Sequence, residues 1–205
     1  MASSIRRRLG LLGVVTAAIS FVAWIHGFLA LDRPLHAGVL VVEGWLPREA
    51  LDEVPRAFAS GHYSHIIFVE YPDKLRLDAE ILSNGRSLRT AVESAGARLT
   101  AVQIPIGAER RTYGGAEAVR QWLKKQNAPV SQVDVFTVGV HARKSQFLYQ
   151  RALGPGVEVG VIAGTPLYYN PRLWFVSPQG IRLVARNLTG YVYSVAWIYA
   201  DKLFE

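Results

Sequence analysis

The stretch VGVHARKSQFL ends an apolar run in a glycine and then sets His141, Arg143, Lys144 and Ser145 at the start of a helical pattern. The first turn of a helix carries partial positive charge and unspent backbone N–H groups. An imidazole, a guanidinium and an ammonium added there suit a phosphate or a carboxylate, and His141 can exchange a proton near neutral pH. The same residues would also serve as a strand-end histidine beside two solvated cations. A second stretch, GAERRTYGGAEAV, places Arg110, Arg111 and Thr112 before the paired Gly114 and Gly115 at another helix start. Guanidinium groups, a hydroxyl and small residues that permit close approach again suit an anion. A capping threonine with glycines that let a helix lie close to a sheet is the plainer account. Glu43 and Gly44 follow a wholly apolar run, an unusual place for a carboxylate unless it serves a site or a buried partner. Glu70 stands in the corresponding place after the next apolar run. The two carboxylates could together hold a metal or a substrate hydroxyl, or one could simply pair with Arg143.

The elements that must position these groups are short. Residues 39–42 and 66–69 are β-branched or apolar runs of the kind buried on both faces of a parallel sheet. Further strands are predicted over 99–106, 133–140 and 157–163. Helical spacing predicts helices over 48–60, with Pro55 as a possible kink, and over roughly 79–95, 113–126 and 142–153. An aromatic-rich helical tail, about 180–204, contains Tyr191, Tyr193, Trp197, Tyr199 and Phe204. It would cap the sheet or lie on a membrane. Strands alternating with crossover helices predict a doubly wound, Rossmann-like α/β sandwich with a mainly parallel sheet. In such sheets ligands bind beyond the carboxyl ends of the strands. The expected pocket therefore forms where Thr112, His141 and Arg143 converge on that rim.

From Leu9 to Leu31 the chain runs 23 residues without a formal charge, enough for a helix that crosses a bilayer. Arg6, Arg7 and Arg8 precede it. The positive-inside rule then places residues 1–33 as a cytoplasmic start and transmembrane anchor, and the domain over 34–205 outside, at the plasma (inner) membrane. A cleaved signal peptide is the rival, but the apolar segment is long and lacks an A-x-A pattern at its end. Pro34 marks the exit and residues 35–38 read as a short linker.

The 205 residues carry a formal charge of +7 and no cysteine. Three of the positive charges are the arginines at 6–8, and the rest are spread along the chain without the concentrated basic face of a nucleic-acid binder. The C-terminal third leans basic at Arg172, Arg182 and Arg186, which could equally meet anionic lipid or be a solvated surface. Disulfides, thiolate catalysis and cysteine zinc sites are excluded. There is no G-x-G-x-x-G after the first strand, no Walker A motif and no G-x-S-x-G. His62-x-x-His65 resembles a metal pair placed in a turn before a strand, and no metal site is assigned to it. Asn187-Leu188-Thr189 fits a glycosylation sequon.

The blocks VLVVEGWLPREAL, RRTYGGAEAVRQWL and VFTVGVHARKSQFLYQRALG resemble, in order and spacing, domain of unknown function 218, the YdcF/SanA/ElyC-like proteins. The resemblance spans about residues 38–165. It implies a Rossmann-like domain behind an N-terminal anchor and a role in bacterial envelope biogenesis around a polyprenyl-phosphate carrier. A soluble relative implies S-adenosylmethionine binding instead. Glu43, Gly44, Thr112, His141 and Arg143 match the motif residues. The second strand departs from the pattern, ending Val69-Glu70-Tyr71-Pro72 where many relatives have a glycine-rich turn.

These readings converge on a pocket for a phosphorylated, lipid-linked ligand. Gly44, Arg111, Thr112, Arg143 and Ser145 would bind it, His141 would be the acid or base, and Glu43 its polar partner or a metal ligand. No cofactor is assigned, and whether the domain is an enzyme stays open. A nucleotide-like binding module and a non-enzymatic membrane scaffold are the alternatives.

Overall fold

In the computed structural model, residues 2–70, 90, 92–93, 96, 98–105, 110–126 and 129–201 are described. The order is α1 (Ala2–Leu29), β1 (Ala37–Glu43), α2 (Arg48–Leu51), α3 (Val54–Ala59), β2 (His62–Glu70), β3 (Leu99–Gln103), α4 (Arg111–Leu123), β4 (Gln132–Val138), α5 (Ala142–Leu153), β5 (Glu158–Gly164) and α6 (Pro178–Asp201). Two 3-10 turns, Gly139–His141 and Pro171–Val176, precede α5 and α6.

All five strands pair in parallel, in the order β3-β2-β1-β4-β5. The chain winds outward from β1 to β3, then returns past β1 to add β4 and β5. A constant right-handed crossover therefore puts helices on opposite faces for the two directions of travel. Val39, Val41, Ile67 and Val69 pack with α4 and α5 on one face. Leu40, Val42, Ile66 and Phe68 pack with α2 and α3 on the other. Both faces are covered, which is why these strands read as continuous apolar runs rather than alternating ones.

Several expectations are corrected. The helix expected over 48–60 is two short helices, because Pro55 cannot donate within a continuous helix and instead sits in the first turn of α3. His62 and His65 both lie inside β2, not in a turn, and His65 Nε2 pairs with Thr100 Oγ1 on β3 at 2.7 Å. The third strand stops at Gln103 and the fourth at Val138, where Gly139 takes φ +48° and opens the turn toward α5. The helix expected over 79–95 lies largely outside the described residues, as do Tyr71 and Pro72, residues 107–109 and Phe204.

Within α1, Leu12–Leu29 has a mean hydropathy of 1.9 and only 12% of it is covered by the rest of the chain, so this helix is apolar enough to span a membrane and is not a buried core helix. Its last turns do meet the domain: Ile25 and Leu29 pack against Val140 and Val184. The following residues are docked, not loose. The Ala163 N–H donates to Asp32 Oδ1 at 3.1 Å, and Arg33 forms an antiparallel bridge with Val161. The N–H groups of Leu35 and His36 donate to the buried Asp134 carboxylate at 2.8–3.0 Å, which Tyr63 Oη also approaches at 2.6 Å. The chain thus leaves α1 at the carboxyl end of β5 and runs back along the sheet to start β1.

Candidate functional site

β1 and β4 are neighbours at the point where the winding reverses direction, and their carboxyl ends flank the crevice where doubly wound sheets take ligands. β1 ends in Glu43 and β4 leads through Gly139 into His141. A Cβ at Gly139 would come within 2.8 Å of Pro166 Cγ, so the positive φ and the tight approach both require glycine there.

Glu43 is fully buried. Its Oε2 accepts from Thr137 Oγ1 at 2.5 Å and its Oε1 from Ser145 Oγ at 3.0 Å. Burial raises its pKa, opposed by the Thr137 hydroxyl, the Lys144 ammonium, the Ser145 hydroxyl and the Trp45 indole. Every one of those neighbours donates or is positive, which suits an ionised carboxylate that can only accept.

His141 lies beside this group, with Nε2 at 3.8 Å from Glu43 Oε2 and 13% of its side chain exposed. Trp45 meets the ring edge-to-face at 4.8 Å. Nδ1 is 2.8 Å from Asn187 Oδ1, and Asn187 Nδ2 donates to Leu183 O at 2.9 Å. The second bond fixes the amide orientation, so Asn187 presents oxygen to the ring and Nδ1 must carry the proton. Nε2 is then the bare lone pair. Burial first, then the Lys144 ammonium, push the imidazole down to about 3, so the ring is neutral at physiological pH. Nε2 has no hydrogen-bond partner among the described residues.

Two lone-pair atoms, Nε2 and Oε2, therefore face each other at 3.8 Å. That is too far for a hydrogen bond, and the pair accepts only a group that brings its own proton. The adjoining cleft, about 80 Å³, is lined by Trp45, Pro166, Tyr168, Tyr169, Leu183 and Arg186, among others. It is a mostly apolar space with a guanidinium at its edge.

The sequence-predicted residues do not share one pocket. Glu43, His141 and Ser145 come together. Gly44 is buried in the turn after β1, its N–H spent on Val69 O at 3.0 Å, and a Cβ there would lie 2.2 Å from that oxygen. Arg111 and Thr112 line a separate cavity of about 290 Å³ with Lys144, Tyr193 and Ser194, where the Arg110 guanidinium lies 3.9 Å over the Trp197 ring. Arg143 turns the other way, donating from Nε to Phe28 O at 2.8 Å and lying 4.2 Å over the Phe28 ring. It docks α1 rather than reaching the cleft. Glu70 accepts from Gln103 at 3.2 Å and does not pair with Arg143. The expected convergence of Thr112, His141 and Arg143 is thus corrected to three places on one rim.

Helical geometry gives the reason. Residues three and four apart share a helix face, so Lys144 and Ser145 follow His141 while Arg143 points away. That spacing was available in the sequence. Asn187 reads in the sequence as a sequon residue, Arg186 as part of a basic C-terminal third and Trp45 as a strand-end residue. Nothing in their spacing ties them to His141, because the first two come from a distant helix. The sequon asparagine is only 7% exposed and spends both ends of its amide inside the protein. Among the described residues no three His, Cys, Asp or Glu side chains cluster as metal ligands.

No protein-family model, curated protein or solved structure matches the chain.

Proposed function

We propose that this is a single-pass membrane protein whose cleft at the β1/β4 rim binds a phosphorylated, lipid-linked intermediate of envelope biogenesis. The observation that carries the proposal is the neutral His141, which lines a cleft edged by Arg186 and whose buried, bare Nε2 faces Glu43 beneath it. Arg186 replaces Arg143 as the cation for the phosphate, with Lys144 behind it supplying positive potential. A hydroxyl or water entering between Nε2 and Oε2 would give its proton to Nε2: the O–H bond breaks, an N–H bond forms, and the oxygen becomes nucleophilic. Glu43 would stabilise the imidazolium so formed. An anchored domain suits a substrate that never leaves the bilayer.

Binding of polyprenyl phosphate to the full chain in nanodiscs tests this. His141→Ala and Arg186→Gln should each weaken binding or turnover, and retention of both in both variants would refute the assignment. Arg6, Arg7 and Arg8 ahead of the span support an orientation with the domain outside the cytoplasm. A reporter fused at the C-terminus distinguishes the two orientations. A cytoplasmic domain would turn the reading toward a nucleotide-like ligand.

A further inference from the structure

We propose that the segment from Tyr168 to Ile181 is a second membrane-contacting element, which seats the mouth of the cleft on the same leaflet that α1 leaves. The inference rests on the reading of α1 as a membrane anchor and adds a surface which that reading does not require.

Three observations carry it. The first is direction: Ala163 and Val161 on β5 hold Asp32 and Arg33, so α1 ends at the carboxyl rim of the sheet. The rim that bears the cleft therefore faces the bilayer, and the amino ends of the strands face away. The second is depth. His26 Nε2 pairs with Tyr169 Oη at 3.1 Å, and the His26 ring stacks on Trp174 at 6.4 Å. His26 lies three residues inside the apolar span that ends at Leu29, about 4.5 Å at the helical rise. The 3-10 turn Pro171–Val176 consequently sits at the level where headgroups meet acyl chains. The third is surface chemistry. Tyr168, Leu173, Phe175, Val176 and Ile181 are 63%, 51%, 45%, 66% and 47% exposed, five large apolar or aromatic side chains within fourteen residues. In water this cluster is unfavourable, whereas at the acyl boundary it is solvated. Arg172 and Arg182, both exposed, stand among them where anionic headgroups would be met.

The consequence for the cleft follows from Tyr168 and Tyr169, which line it and also belong to this segment. A headgroup would enter sideways from the leaflet, its chain remaining among the lipids.

The chain has no cysteine, so single cysteines can be placed without altering any other residue. Leu173→Cys, Val176→Cys, Leu12→Cys and Lys124→Cys would each carry a polarity-sensitive fluorophore. The full chain is reconstituted in phosphatidylethanolamine–phosphatidylglycerol vesicles with and without brominated acyl chains. Labels at 12, 173 and 176 should be quenched about twofold or more, since interfacial elements bury about 5–10 Å into this boundary. The label at 124 should not be quenched. Quenching at 12 without quenching at 173 and 176 would overturn the second contact and leave the anchor standing. No quenching at 12 would remove the anchor and the inference together. Quenching at 124 as well would overturn the orientation of the rim.

Discussion

Asn187 Oδ1 accepts the Nδ1–H of His141 at 2.8 Å across 46 residues of chain, tying α6 to the turn that ends β4. Because Asn187 Nδ2 is held by Leu183 O, the contact selects one tautomer rather than merely touching the ring. Nitrogen NMR of the ring should show a protonated Nδ1 and a bare Nε2. Asn187→Ala should admit the opposite tautomer and cost about 1 kcal/mol, the usual net worth of one such bond. An unchanged Nδ1 signal would mean that the asparagine does not set the tautomer.

The pH dependence follows from the sign of the His141 shift. Its pKa falls from the ordinary imidazole value of 6.5 to about 3 in the folded protein, chiefly through burial. Between those values the unfolded chain binds the extra proton, so stability is complete above about 6.5 and is lost as the pH drops toward 3. The full loss is on the order of 5 kcal/mol. Thermal melts from pH 7 to pH 4 should show a steeper fall for the native chain than for His141→Asn. Glu43, raised by burial, works with the opposite sign, and the difference between the two chains isolates the histidine. Parallel curves would place the ring in a solvated setting.

Glu43→Gln preserves shape but turns one acceptor oxygen into a donor. Thr137 and Ser145 both donate to the carboxylate, so one of them would meet an N–H instead. Lys144 would also lose its compensating charge. Together these should cost about 2–4 kcal/mol in urea denaturation. A loss under about 0.5 kcal/mol, the range of ordinary surface changes, would show that the carboxyl was neutral already.

The strands could be read directly because both faces of the sheet are covered, so that they appear as short, β-branched apolar runs such as Val39–Val42. The rim could be read too, since Glu43 and His141 each follow such a run. What the sequence did not disclose was pairing at long range. Asn187 reads as a sequon residue, and only the packing of α6 across the rim gives its amide a ring to hold. Arg143 reads as an anion ligand until α1 comes alongside, when a backbone carbonyl and the face of Phe28 take its guanidinium. Asp134 is hidden in an apolar strand, and its role as a clamp depends on where residues 35 and 36 pass.

That clamp is itself testable. Asp134→Ala frees the Leu35 and His36 N–H groups and the Tyr63 hydroxyl, three donors now held by one buried carboxylate. Charge-assisted bonds are worth more than neutral ones, so the loss should reach about 3 kcal/mol. Hydrogen exchange at Leu35 and His36 should accelerate before exchange in β1 does. Simultaneous acceleration would mean that the clamp and the sheet open as one unit.

Arg186 and Arg143 both bring a positive charge to the strand-end rim but differ in what they hold. Arg186 lines the cleft beside His141, whereas Arg143 is spent on Phe28 at the end of α1. Arg186→Gln should weaken polyprenyl-phosphate binding by about tenfold, the effect of one lost charge-assisted contact, and leave the melting temperature nearly unchanged because the side chain is exposed. Arg143→Gln should do the reverse. It removes a cation–π contact and a bond to a carbonyl, loosening α1 against α5 and speeding exchange near Phe28, while affinity holds. If Arg143→Gln instead abolished binding and Arg186→Gln had no effect, the phosphate would have to approach from the α1 side, and the cleft at His141 would not be its site.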